Sequence, residues 1–155
     1  MDKSALRQAI VAQLESDLAV LVSAANTSKD EATDAESKAE GQYDMRGQSA
    51  AYLAAGQAKL AAELTEAIAA FRLMALSDVP AGAAVEIGAV VVLEAKKRRS
   101  HYFIGPARGG LEVSVGGVPV TVITASSPLG RQLLGRRSGE TIPLGGALHL
   151  VAEIQ

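Results

Sequence analysis

The chain has 155 residues and a formal net charge of −2, a length that suits one ordinary domain or two small ones. It contains no cysteine, which excludes disulfides, a thiolate nucleophile and a cysteine-based zinc site; its two histidines, His101 and His149, lie far apart and argue against a two-histidine metal site. The opening MDKSALRQAI is charged and lacks the apolar segment of a signal peptide, and no uninterrupted apolar run approaches a membrane span, so a cytoplasmic protein with no membrane partner is expected.

The total charge hides an asymmetry. Residues 1–78 hold 12 acids and 7 bases, whereas 79–155 hold 5 acids and 8 bases. Twelve of the 15 glycines and all five prolines also fall in the second part. Two domains of different construction are expected, 1–78 and 85–155, joined by a linker at 79–84 (VPAGAA).

Nothing breaks a helix from Ser4 to about Lys38, and Ser4 is a candidate N-cap. Leu6, Ile10, Leu14, Leu18 and Leu21 recur at helical spacing and put an apolar stripe on one face. The stripe thins to Ala25, Ala32, Ala35 and Ala39, which keep the helix and let a partner come close. A second pattern covers 46–77. Leu53, Gln57, Leu60, Leu64, Ala67 and Phe71 alternate steps of four and three, a heptad seam with one polar seat. Each helix would be about 45 Å long at ~1.5 Å per residue. The connection at 40–44 is short, which makes neighbouring helices antiparallel. An antiparallel two-helix finger is predicted, rich in leucine at its root and in alanine at its tip. Residues 30–44 place six acids against the single base Lys38, so the tip is acidic.

The second part reads as short strands. A strand is expected over 85–93, then a basic turn over 96–99, then strands over 101–104 and 111–115. Gly116-Gly117 suits a tight hairpin into a strand at 118–124, where Pro119 favours an edge position. In SSPLGRQLLGRRSGE, Ser126 or Ser127 can cap a helix of about two turns with Pro128 at its first position. Leu129, Leu133 and Leu134 would form its buried face, and Gly135 would end it. A last hairpin over 141–154 turns at Gly145-Gly146. The expected class is α+β, with a bent antiparallel sheet and one short helix after the coiled coil.

The segment 120–139, VTVITASSPLGRQLLGRRSG, followed by Glu140, resembles the signature of the bacterial transcript-cleavage factors of the GreA/GreB family: a strand, Ser-Pro, a short helix, Gly-Lys/Arg and Gly-Asp/Glu. The resemblance implies an FKBP-like C-terminal domain that docks at the rim of the RNA polymerase secondary channel. Ser127, Pro128, Leu129, Arg131 and Arg136 are then the polymerase-binding residues. It also implies that the coiled coil enters the channel and meets the nascent RNA only indirectly, as a monomeric accessory to the polymerase.

The cleaving members of that family carry a Gly-Asp-x-x-Glu-Asn-Ala-Glu-Tyr tip, whose two acids can hold a second magnesium ion beside the polymerase's own. No cofactor is then bound by the free protein. Here the similar stretch is YDMRGQSAAY, 43–52. Asp44 matches the first acid; Gly47 stands where the second is expected, and one extra residue separates Asp44 from Tyr52. Glu40 and Glu36, each four residues apart, could supply the missing carboxylate. Asp44 and Glu40 are thus the candidate catalytic acids, and Asp44, Glu40 and Glu36 the candidate metal ligands. The alternative is a channel-binding regulator of the same fold that does not cleave. A prolyl isomerase is disfavoured, because Tyr102 and Phe103 are the only aromatics of the second domain. The GPARGG stretch at 105–110 lacks the Gly-Lys-Ser/Thr ending of a phosphate loop. The basic run 96–99 could meet nucleic acid or an acidic protein surface, or be a solvated turn.

Overall fold

The computed structural model describes residues 1–36, 45–76, 78–80 and 82–155, and the side chains of these outside 28–51. Two long helices, α1 (Lys3–Glu36) and α2 (Met45–Leu73), precede six strands and a short helix. These are β1 (Val90–Ala95), β2 (Arg98–Gly105), β3 (Glu112–Val115), β4 (Val118–Thr124), α3 (Pro128–Leu133), β5 (Thr141–Leu144) and β6 (Ala147–Ile154). The class is α+β. Packing divides the chain into two compact units: Gln13–Ile68, and Met1–Ala12 together with Ala69–Gln155.

α1 is capped by Asp2 rather than by Ser4. The Asp2 Oδ1 accepts from the Ser4 amide at 2.8 Å and from the Ala5 amide at 3.1 Å. A carboxylate there satisfies two orphan donors and faces the positive end of the helix. The segment Lys3–Thr27 is long and apolar enough to cross a membrane by length and composition, with a mean hydropathy of 1.2. Its stripe residues Leu6, Ile10 and Leu14 are nevertheless fully covered by protein.

In the helical unit Leu14, Leu64, Ala67 and Ile68 are buried, and Leu18, Leu21 and Gln57 are half-buried. Leu60 is 40% exposed and Leu53 66% exposed. Apolar contact therefore falls off along α2 toward its start, and the expected seam is covered at Leu64 and Ala67 but open at Leu60 and Leu53. In the other unit Arg7 Nη1 donates to the Met74 carbonyl at 3.2 Å, so α2 ends beside the start of α1.

The strands form one sheet in the order β3-β4-β2-β1-β6-β5. Neighbours are antiparallel except β2 and β4, which run parallel from His101↔Val120 to Gly105↔Thr124. An all-antiparallel sheet was expected. The chain after β2 instead passes one position outward, builds β3 at the edge and folds β4 back beside β2. Pro119 therefore lies in an interior strand. It is tolerated because its pair with Ser114 follows the Val115↔Val118 pair that closes the hairpin, and pairing with β2 starts only at Val120.

Two further expectations change. Residues 85–89 are not strand, because Gly88 takes φ +90 and Ala89 turns back onto the Glu86 carbonyl at 3.1 Å. Val85 instead exchanges backbone hydrogen bonds with Gly135 and Arg136 at 2.9 and 2.8 Å. The basic turn shrinks to Lys96-Lys97, with Arg98 and Arg99 already paired in β2.

Side chains alternate between two buried faces. On one, Val91, Leu93, Ile104, Ile123, Ile142 and Val151 pack with Leu133 of α3. On the other, Val90, Val92, Phe103, Val120 and Val122 are buried, and Phe71 of α2 stacks on Phe103 with ring centroids 6.5 Å apart. Cover on both faces explains why β1 reads as an unbroken apolar run.

Candidate functional site

The acids singled out at the tip lie where the structure is silent. Glu40 and Asp44 fall outside the described residues; Glu36 ends α1, with its side chain outside them. Among the described residues no group of three or more histidines or carboxylates stands together to hold a metal ion.

The segment from Ser126 to Glu140 is described throughout, and it is built from its residue types. Ser127 is the N-cap of α3 in extended backbone. Its Oγ accepts from the Gly130 amide at 3.0 Å and donates to the Thr124 carbonyl at 2.8 Å, so the hydroxyl fixes the helix to the end of β4. Pro128 follows at the first helical position, exposed, where no amide is missed. Leu133 is fully buried, whereas Leu129 and Leu134 are half-buried and rest against the same core. Leu134 is the C-cap, its amide bonded to the Gly130 carbonyl, and Gly135 reverses the chain at φ +80.

Of the five residues proposed for docking, this places Pro128, Arg131 and Arg136 on the surface and turns Ser127 and Leu129 inward. Arg131 Nη1 donates to the Ser126 carbonyl at 2.6 Å, folding the guanidinium over the start of its own helix. Arg136 Nε reaches the Gln132 carbonyl at 3.3 Å, and its Nη1 lies 3.5 Å from Glu140 Oε2. Arg137, passed over in the sequence, stands beside them. Its amide donates to Glu140 Oε2 at 3.3 Å and its guanidinium to the Gly82 carbonyl. The Arg136-Arg137 pair was the signal for it. Three guanidiniums against one carboxylate make this face basic, suited to an acidic partner surface. Removing the cap in Ser127→Ala should cost about 1–2 kcal/mol, read as a lower urea midpoint with an unchanged slope.

A cleft of about 600 Å³ lies elsewhere in the same unit, lined by Met1–Ser4, Leu76, Asp78, Val79, Ile154 and Gln155. Lys3 beside it has its ammonium pKa lowered by burial, partly offset by Asp78. None of the candidate tip acids or of the residues Ser126–Glu140 lines it.

The fold and this segment define an α+β protein with a helix-pair unit and a capped Ser-Pro helix on a mixed six-stranded sheet. No family model matches the chain, and no curated protein matches it. Among solved structures it is similar to GreA factor homolog 1 (Gfh1) of Thermus thermophilus at 17% identity, over 94% of each chain, with a TM-score of 0.38. It is also similar to Gfh1 of Thermus aquaticus at 18% identity, over 95% of this chain and 94% of that one, with a TM-score of 0.37.

Proposed function

We propose that the chain is a transcription elongation factor-like protein of the GreA/GreB type, which binds RNA polymerase at its secondary channel. The observation that carries the reading is the 120–140 segment. The residues that resemble the family signature fold as a strand, a Ser127-capped helix and a glycine-ended basic loop, with Pro128, Arg131 and Arg136 outward. In this reading the protein is a cytoplasmic bacterial accessory factor with an FKBP-like docking domain. Its acidic tip enters the channel and stimulates cleavage of backtracked RNA. Asp44 and Glu40, with Glu36, would supply the hard carboxylate oxygens for a magnesium ion shared with the polymerase, whose role is to activate water against the phosphodiester.

A second reading is favoured by Gly47, which stands where the family's second acid is expected. A factor lacking that acid would occupy and reshape the channel without cleavage. One experiment separates the two. A backtracked elongation complex in magnesium receives wild-type protein or Asp44→Ala. On the cleavage reading, wild type shortens the RNA and Asp44→Ala does so at least about 100-fold more slowly, the lower end of what a positioned catalytic carboxyl contributes. If both co-elute with core polymerase and neither shortens the RNA, the regulator reading holds. Failure of the wild type to co-elute with core polymerase at low salt would sink both.

A further inference from the structure

Three two-residue hairpin turns stand in a row at one end of the sheet. Gly116-Gly117 joins β3 to β4, Lys96-Lys97 joins β1 to β2, and Gly145-Gly146 joins β5 to β6. The register aligns them: His101 pairs with Val120, and Glu94 with Leu150, so the three turns lie at the same end. Two strand spacings separate one turn from the next, about 10 Å.

All three adopt positive φ at both turn residues. The values are 59° and 80° at Gly116 and Gly117, 58° and 79° at Gly145 and Gly146, and 50° and 63° at Lys96 and Lys97. Glycine adopts this backbone freely, and a residue with a Cβ resists it. The outer turns use glycine; the middle one holds the same conformation with two lysines. Glycine would meet the folding requirement better, so what the lysines add is their ammonium groups.

Arg98 extends the run. Lys96, Lys97 and Arg98 are exposed, and none forms an ion pair among the described residues. The acids next to them are already taken. Arg99 binds Glu94 at 3.1 Å and Glu153 at 2.7 Å. At the four flanking turn glycines even an added Cβ would meet nothing within 4 Å, so no other part of the chain packs onto these turns.

We propose that this row of turns is a contact for the phosphate backbone of a nucleic-acid duplex, with Lys96, Lys97 and Arg98 as its three cations. An extended polyanion fits a row of low, backbone-only turns around a cationic centre. Phosphate contact needs charge alone. An acidic protein partner would ordinarily also anchor on a cluster of apolar or aromatic side chains; the six turn residues present none, and the exposed apolar residues nearest them are Leu148 and Leu150 on β6. The contact is separate from polymerase docking, because Ser127–Arg136 follow the opposite end of β4.

The test uses the full chain and a short fluorescein-labelled DNA duplex, followed by anisotropy from about 20 mM salt upward. Wild type should bind with a log–log salt slope of about −2.7, for three phosphates at ~0.9 each. Lys96→Gly/Lys97→Gly should reduce that slope by about 1.8 and weaken binding at low salt at least about tenfold. Its melting temperature should hold or rise, because Gly-Gly makes the same turn on both sides. The proposal is overturned by no binding of wild type at the lowest salt, by equal affinity and slope in the variant, or by a variant that melts lower. Stronger binding to poly-L-glutamate than to the duplex at equal charge would overturn it in favour of an acidic protein.

Discussion

Gly130→Ala should unfold the Ser-Pro segment. A Cβ built on Gly130 lies 2.0 Å from the Thr124 carbonyl oxygen, 2.9 Å from its carbon and 3.0 Å from Ser127 Oγ. Thr124 cannot move aside cheaply, because its carbonyl accepts both the Ser127 amide at 3.0 Å and the Ser127 hydroxyl at 2.8 Å. To make room, α3 must lift from β4, breaking the cap and drawing Leu133 out of the core. In an open helix interior the same change gains up to ~1 kcal/mol from helix propensity. The clash reverses that sign. A loss of about 3–4 kcal/mol is expected, the upper range for overpacking, or on the order of 15 °C in Tm. Gly56→Ala in α2 is the matched control, since its Cβ meets nothing within 4 Å, and it should hold or gain stability. Equal urea midpoints for Gly130→Ala and wild type would show that the helix does not sit this close to the strand. If the proposed docking is right, polymerase binding should be lost with the fold, because Pro128 and Arg131 are carried by the same turn.

The parts of this architecture legible in the sequence are those whose cause is local. Gly116-Gly117 and Gly145-Gly146 fix two hairpins because the turn demands their backbone freedom. Ser127-Pro128 fixes the start of α3 because a hydroxyl must accept an orphan amide and proline misses none. What was not legible depends on distant residues, or on a choice between equivalent local signals. Asp2 and Ser4 are both capping types two residues apart, and only the amide geometry separates them. The parallel β2–β4 pair arises because β3 takes the edge, which no local pattern encodes. The turn at Lys96-Lys97 was visible as a basic break, but without glycines to mark it its end was set two residues late, since Arg98 and Arg99 already pair in β2. In the segment from Ser126 to Glu140 the spacing of Ser127, Arg131 and Arg136 was visible. The inward face of Leu129, Leu133 and Leu134 was visible too, whereas the bond from the Ser127 hydroxyl to the Thr124 carbonyl was not, because it joins the helix to the preceding strand.

Phe71→Ala should be the most damaging change outside α3. Phe71 belongs to the unit that also contains the sheet, and it is fully buried. Its ring stacks on Phe103 at 6.5 Å and 29°. Its Cε1 and Cζ crowd Gly105 so closely that a Cβ there would come within 3.0 Å of both. Gly105 is thus the notch that admits the ring, and the residue beside it on β4, Thr124, leads directly into α3. Truncation to alanine leaves a cavity between α2 and the face carrying Phe103 and Val122. It should cost about 3–5 kcal/mol, of which the ring pair accounts for about 0.5–1.5. Phe71→Leu keeps most of the volume and should lose less than half as much. Hydrogen exchange adds a readout that a uniform loss of stability would not give. Amides of the last turn of α2 should lose protection before those of β1 and β6, because the ring is the contact by which that turn is held to the sheet. Equal protection of both regions in Phe71→Ala, or an unchanged melting curve, would mean that other residues hold α2 to the sheet.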